Sequence, residues 1–489
     1  MTATGPDDSP RRPATMLGDG GPLVVVGAGP AGTLISIYLA RMGHPVELYE
    51  RRADLRRLDV DGGRSINLAL ATRGIVPLGE AGVLERVAAI TVPMAGRIVH
   101  PEGVPLDQAE LQPYGTTAED VIHSVSRQDL NAILLDAAEA AGVRIFFDHR
   151  CVGVDVDAGV ARFTRGGLSA HSGPGPTREV RFGTVFGCDG AGSVVRRDVL
   201  AANGGTGTVE PLSHSYKELT IPPADDGGFR LDPNGLHIWP RGDLMLIALA
   251  NPEGDFTATL FMPTGPDGDR DRDRDRDRDS FASVPDGAAA TAFFAREFPE
   301  VVDLIPDLAT QYDENPVGSL ATLRTRGWTV DDRAVLVGDA AHAIVPFHGQ
   351  GMNAALESCR LLAVQLQRYR HDLARALSAF EHQRAPDTDA IADMALENYL
   401  EMRSGVVDPD YRIRRALALE LSRRHPDRVA HRYGMVMFTT MPYAEVRARA
   451  RRQAELYTSA IAGAAGLEDI DLDRVGTAVE ALGPLPEWE

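Results

Sequence analysis

Gly27-Ala28-Gly29-Pro30-Ala31-Gly32 stands directly between an apolar run, Leu23–Val26, and a segment with helical spacing that continues to about Met42. Residues 46–50 then read as a second strand, which completes a β-α-β unit. Glycines at these places allow a tight turn, close approach of backbone to a pyrophosphate and close packing of helix on strand. The helix N-terminus adds the positive end of its dipole. Glu50 ends the second strand eighteen residues after Gly32, where a carboxylate can accept hydrogen bonds from a ribose hydroxyl. These residues point to a bound dinucleotide and leave open whether it is NAD or FAD.

The rest of the chain bounds the setting. At 489 residues it holds two or three structural units. A net charge of −20 argues against general affinity for nucleic acid or for an anionic membrane surface. Cys151, Cys188 and Cys359 lie too far apart for a disulfide framework or a zinc ribbon, so no metal site is expected and a reducing, cytoplasmic setting fits. Arg11 and Arg12 before the uncharged stretch 21–40 imitate a leader or an anchor. Gly27, Gly29, Pro30 and Gly32 interrupt that stretch where a spanning helix needs continuity, and a protein without a membrane segment is expected.

Residues 1–20 lack periodicity and read as a disordered tail. A helix is expected over 127–142, with Leu130, Ile133, Leu134, Ala137 and Ala138 on one face. Strands are expected at 217–221, 236–250 and 256–262, in an antiparallel sheet. From Gly351 to about Gly463 the chain reads as helical, broken near 406–410 and at Pro442, and 464–489 reads as a loose acidic tail. Residues 269–279 alternate Asp and Arg without an apolar face, so a solvated loop over 265–280 is expected and no function is assigned to it.

Two further motifs decide between the dinucleotides by resemblance. Gly187-Cys188-Asp189-Gly190-Ala191-Gly192-Ser193 through Arg196 resembles the DG signature of flavoprotein aromatic hydroxylases. Val337-Gly338-Asp339-Ala340-Ala341-His342 with Pro346 resembles their GD signature. More specific blocks narrow it: Gly63-Arg64-Ser65-Ile66-Asn67-Leu68-Ala69-Leu70 with Arg73-Gly74, Pro113-Tyr114-Gly115, Leu236-His237-Ile238-Trp239-Pro240-Arg241 and Asn398-Tyr399-Leu400-Glu401-Met402-Arg403. These are similar to kynurenine 3-monooxygenases, with coverage from about residue 22 to 445.

The resemblance implies an α/β fold. It comprises a Rossmann-type FAD domain of the aromatic hydroxylase type (21–85, 120–200, 320–385), an antiparallel-sheet substrate domain (86–119, 201–319) and a helical C-terminal cap (386–463). It implies non-covalent FAD held by Gly27, Gly29, Pro30, Ala31, Gly32, Glu50, Arg51, Ala69, Arg127, Asp339, Gly351, Met352 and Asn353. Arg51 or Arg52 would also suit a 2′-phosphate, but Glu50 favours the adenosine ribose of FAD, and no second glycine motif offers a nicotinamide domain. NADPH is implied as a transient co-substrate.

Substrate contacts carried over are Arg97, Tyr114, Asn398 and Tyr433. Arg97 suits an α-carboxylate through paired N–H groups. No side chain is assigned an acid–base role; Arg97, Tyr114, Phe347 and His348 are read as positioning groups. One departure stands out: Pro346-Phe347-His348-Gly349 replaces the two consecutive phenylalanines usual in the family, which puts a polar ring beside the expected site. The implied reaction converts L-kynurenine, an aromatic amino acid, to 3-hydroxy-L-kynurenine with NADPH and O₂. Two alternatives stay open: the same chemistry on a ring-modified kynurenine or an anthranilate, and a flavin-binding redox regulator. Monomer and dimer are both left open.

Overall fold

The computed structural model describes residues 17, 21–57, 67–115, 117, 119–166, 175–265, 279–404 and 409–485. The expected tail over 1–20, most of the Asp/Arg run and the block 63–66 therefore lie outside the described residues, or nearly so. Asp279, at the end of that run, pairs with Arg296.

Leu23–Val26 forms a strand buried on both faces, paired in parallel with Val46–Tyr49 on one side and Thr184–Gly187 on the other. That is why its residues read as one apolar run with no alternation. The sheet continues outward to Arg144–Phe146 at one edge and to Ala334–Leu336 and Thr329–Val330 at the other. Helix Pro30–Arg41 starts with proline at its first turn and packs so closely that a Cβ on Gly32 would lie 1.9 Å from the Gly27 carbonyl oxygen. Gly27 itself has φ +98°, and a Cβ there would meet the Cys188 carbonyl at 2.4 Å. Glycine is required at both positions.

A second, seven-stranded sheet runs Gly318–Arg326, Thr206–Ile221, Phe256–Pro263, Leu244–Ala250, Gly235–Arg241, Gly96–Val99, Leu111–Pro113. Its pairings are antiparallel except for Gly235–Arg241 against Gly96–Val99, which is parallel. Alternation sends Trp239, Leu246, Leu260 and Phe256 to one face, against Phe293, Phe294 and Tyr312. Ile238, Met245 and Phe261 go to the other, against Phe347 and Tyr399. Both faces are covered, which explains why these strands too read as long apolar runs.

Four expectations need correction. The stretch 236–250 is two strands, reversed at Gly242 with φ +62°. The segment 217–221 is only the end of a strand of 16 residues, Thr206–Ile221, whose first half is exposed and so carries no apolar signal. Gly318–Arg326 pairs with that strand and lies in the larger sheet, not with the nucleotide-binding strands. Residues 464–489 are not a loose tail as far as 485: helix Leu472–Glu480, capped by Asp471, places Val475 and Val479 against Leu417, Leu421, Val429 and Ile461.

The expected helix at 127 spans Arg127–Ala140. The C-terminal region is helical as expected: Gly351–Arg368, Leu373–Ser404, Pro409–Arg424, Arg432–Met437 and Tyr443–Ala460. The break expected at 406–410 falls partly on 405–408, outside the described residues. Among the described residues no helix is long and apolar enough to cross a membrane.

Candidate active site

Where the first strand ends, a cavity of about 330 Å³ opens. Gly27, Gly29, Glu50, Arg51, Arg127 and Asp339 line it, together with Asp189 and Gly190–Gly192 of the DG motif. A Cβ on Gly29, Gly190 or Gly192 would meet no atom within 4 Å, so open space lies against the backbone where a pyrophosphate needs to approach. No side chain caps the first turn of helix Pro30–Arg41, and its free N–H groups remain available to an anion. Glu50 takes the Ala28 N–H on Oε2 (2.8 Å) and the Arg52 N–H on Oε1 (2.9 Å), which fixes the carboxylate at the cavity wall. Asp189 accepts from Ser193 and from the Val194 and Val195 N–H groups and so holds the DG loop open. Asp339 is surrounded by protein, yet its side chain faces the open cavity. Burial raises its pKa and nearby Arg127 opposes the rise. Open glycine backbone, an uncapped helix terminus and a fixed carboxylate together fit FAD.

Pro30, Ala31, Gly32, Ala69, Gly351, Met352 and Asn353 do not line this cavity. Asn353 instead joins the elements around it: Oδ1 accepts from Ala71 N–H at 2.9 Å, and Nδ2 donates to the Ala69 and Gly349 carbonyls at 2.7 and 2.9 Å. This ties strand Asn67–Leu70 to the turn before helix Gly351–Arg368, whose first turn also lacks a side-chain cap.

A second cavity, about 490 Å³, lies between the edge of the seven-stranded sheet and the C-terminal helices. Of the expected substrate contacts, Arg97, Asn398 and Tyr433 line it, as does His348, expected as a positioning group. Strand Gly96–Val99 puts Arg97 level with Leu236 on one neighbour and Gln112 on the other. Its guanidinium sits 4.4 Å from the Tyr433 ring centroid and 5.9 Å from that of Tyr114. Tyr114 and Phe347 stand behind the wall. Tyr114 stacks on Tyr433 at 5.1 Å, and Phe347 packs between Phe261 and Tyr399. Asn398 donates from Nδ2 to the Phe347 carbonyl at 2.6 Å, which holds the turn carrying His348. Burial pushes the Tyr114 hydroxyl well up, so it stays protonated.

Sequence reading missed the cationic character of this cavity, to which Arg414, Arg415 and Arg432 also contribute. Arg432 is held by Glu397 and Glu401. The side chains of Met402 and Arg403 lie outside the described residues. His431 falls to about 4 and His348 to about 3, through burial first and the neighbouring guanidiniums second, so both rings are neutral. Reading also missed a buried layer below the turn: Arg73, Glu357, Arg384 and Tyr443, whose hydroxyl donates to Gln350 Oε1 at 2.6 Å. Of these, only Arg73 fell within a block used for the resemblance.

A family model described as an FAD binding domain matches residues 22–220 and 305–395. A kynurenine 3-monooxygenase of Stenotrophomonas maltophilia is 47% identical over 466 residues, covering 95% of this chain and 98% of the relative. Another, of Xanthomonas axonopodis pv. citri, is 46% identical over 464 residues, covering 95% and 97%. Among solved structures, 2-methyl-3-hydroxypyridine-5-carboxylic acid oxygenase aligns with TM-score 0.60 at 19% identity, over 80% of this chain and 95% of that one. PqsL of P. aeruginosa, in complex with 2-aminobenzoylacetate, aligns with TM-score 0.59 at 20% identity, over 78% and 96%. The structural likenesses establish the fold.

Proposed function

The chain belongs to the kynurenine 3-monooxygenase family, within the FAD-binding hydroxylases, and on that premise we propose that it hydroxylates L-kynurenine to 3-hydroxy-L-kynurenine with NADPH and O₂. One observation carries the substrate assignment: Arg97 lies over Tyr433 in a cavity that also holds Arg414, Arg415 and Arg432, in a chain of net charge −20. Such a site selects an anionic ligand with an aromatic part.

Arg97 takes the α-carboxylate through parallel N–H groups, and Tyr433 gives the substrate a flat apolar wall. Tyr114 backs that wall. With the acid fixed there, the aryl group extends toward the turn held by Asn398 and Asn353. Phe347, Phe261 and Tyr399 keep this end dry. FAD, which Gly27, Gly29, Glu50 and Asp339 would hold, would supply the chemistry that activates O₂ with electrons from NADPH. The ring carbon ortho to the amine is already electron-rich, so attack needs orientation by the protein and no strong side-chain base.

The test is product analysis by mass spectrometry under heavy-oxygen-labelled O₂. One labelled oxygen atom should appear in kynurenine, on the ring carbon beside the amine. NADPH consumption with unaltered kynurenine and only peroxide formed would remove the substrate assignment.

A further inference from the structure

His348 is 1% exposed, lines the second cavity, and has no hydrogen-bond partner for Nδ1 or Nε2 among the described residues. Its ring stacks on Tyr433, centroid to centroid 5.5 Å at 16°. A buried polar ring left without partners is costly, and native interiors rarely keep one without a role. The ring sits on the turn Pro346–His348, directly before Gly349 and helix Gly351–Arg368.

The neighbours define what it can offer. Burial first, and the guanidiniums of Arg432 and Arg97 second, keep it neutral. A neutral imidazole carries one N–H and one acceptor nitrogen. Guanidinium donors are plentiful in this cavity, while acceptors are few. Glu401 is bound to Arg432, and the Gln112 amide oxygen accepts from Arg415.

Resting on the kynurenine reading above, we propose that His348 accepts a hydrogen bond from the arylamine of the substrate and thereby contributes to both recognition and rate. In an ortho-amino ketone one amine N–H bonds the ketone internally and the other is free to donate. As the ring carbon gives its electrons to oxygen, positive charge develops on that nitrogen and its N–H becomes a stronger donor. The hydrogen bond to His348 therefore tightens toward the transition state.

The experiment compares wild-type holoenzyme with His348→Phe and His348→Asn, using kynurenine and its desamino analogue, 2-amino-4-oxo-4-phenylbutanoate. Affinities are read from flavin fluorescence, and hydroxylation of kynurenine in single turnovers. His348→Phe should weaken kynurenine by about tenfold and the analogue by less than about twofold, and should slow hydroxylation by roughly ten- to a hundredfold. His348→Asn keeps an acceptor and should recover part of the rate. Equal losses on both ligands would place the contact on the α-ammonium or on the fold and overturn the proposal; so would unchanged kynurenine binding. Wild type gives an independent readout: the amine proton of kynurenine carrying heavy nitrogen should move downfield on binding, and no movement counts against the contact. Failure of wild type to hydroxylate kynurenine at all would instead refute the functional reading, and this inference with it.

Discussion

Tyr114 and Tyr433 lie ring over ring, centroids 5.1 Å apart and 20° from parallel, although one follows an edge strand and the other opens a short C-terminal helix. Arg97 is within cation–π reach of both. The pair therefore joins the seven-stranded sheet to the helical cap at the place where a carboxylate would bind, and the cap is a wall of the site and not an accessory to it.

Arg97→Ala should lower kcat/KM for kynurenine by roughly one to two orders of magnitude, the worth of a charged hydrogen bond at ~1.5–3 kcal/mol. Arg97→Lys should not restore it, since an ammonium lacks the planar fork. Kynurenamine, which lacks the acid, is the control substrate. Wild type should handle it poorly, and Arg97→Ala should cost little more. Equal fold losses on both substrates would mean that Arg97 supports the fold or the flavin.

Asn353→Ala removes three hydrogen bonds that tie Ala69, Ala71 and Gly349 together. Each buried group left unpaired costs about 1–3 kcal/mol. FAD retention should fall at least about tenfold, measured by flavin absorbance after gel filtration, with the secondary structure kept. Full FAD content in the variant would show that the turn holds its shape without the amide.

Glu357 lies between two buried guanidiniums, 2.8 Å from Arg73 and 2.7 Å from Arg384. Glu357→Gln leaves both with reduced compensation and should destabilise the protein by ~3–5 kcal/mol. Chemical denaturation of the holoenzyme would read it. A loss below about 1 kcal/mol would place the countercharge on Asp387, which lies 3.6 Å from Arg384.

The nucleotide cradle was legible because its determinants are local. A strand, a glycine turn, a helix and Glu50 all fall within 30 residues. The substrate wall is different in kind. Arg97, His348, Asn398 and Tyr433 come from a strand, a turn and two helices, so only the family resemblance grouped them. Glu357 gave no periodic signal, because Gly351–Arg368 is buried on most of its surface and its charges do not mark an outer face; its partners Arg73 and Arg384 come from two other helices. Helix Leu472–Glu480 was misread for the opposite reason. Acidic residues suggested a solvated end, while Val475 and Val479, one turn apart, were the pair that packs.

Stability should depend on pH through the buried histidines, and His342 gives the cleanest test because it lines neither cavity. Burial and the nearby Arg384 lower it from 6.5 to about 3, and its Nε2 lies 3.0 Å from Ser358 Oγ, which also accepts from Arg384 Nε. Between those values the unfolded chain binds a proton that the folded chain refuses, so the folded state loses stability as pH falls from about 6.5 toward about 3. Above about 6.5 the contribution is complete and constant. One such proton gives a slope of at most ~1.4 kcal/mol per pH unit. His342→Gln keeps a polar group for Ser358 but cannot titrate. Its Tm should be lower at neutral pH and should fall less steeply between about pH 6.5 and pH 4.5 than that of wild type, measured by calorimetry at fixed ionic strength. Parallel slopes for the two proteins would mean that His342 keeps its proton equilibrium on folding and that the acid sensitivity resides in other groups.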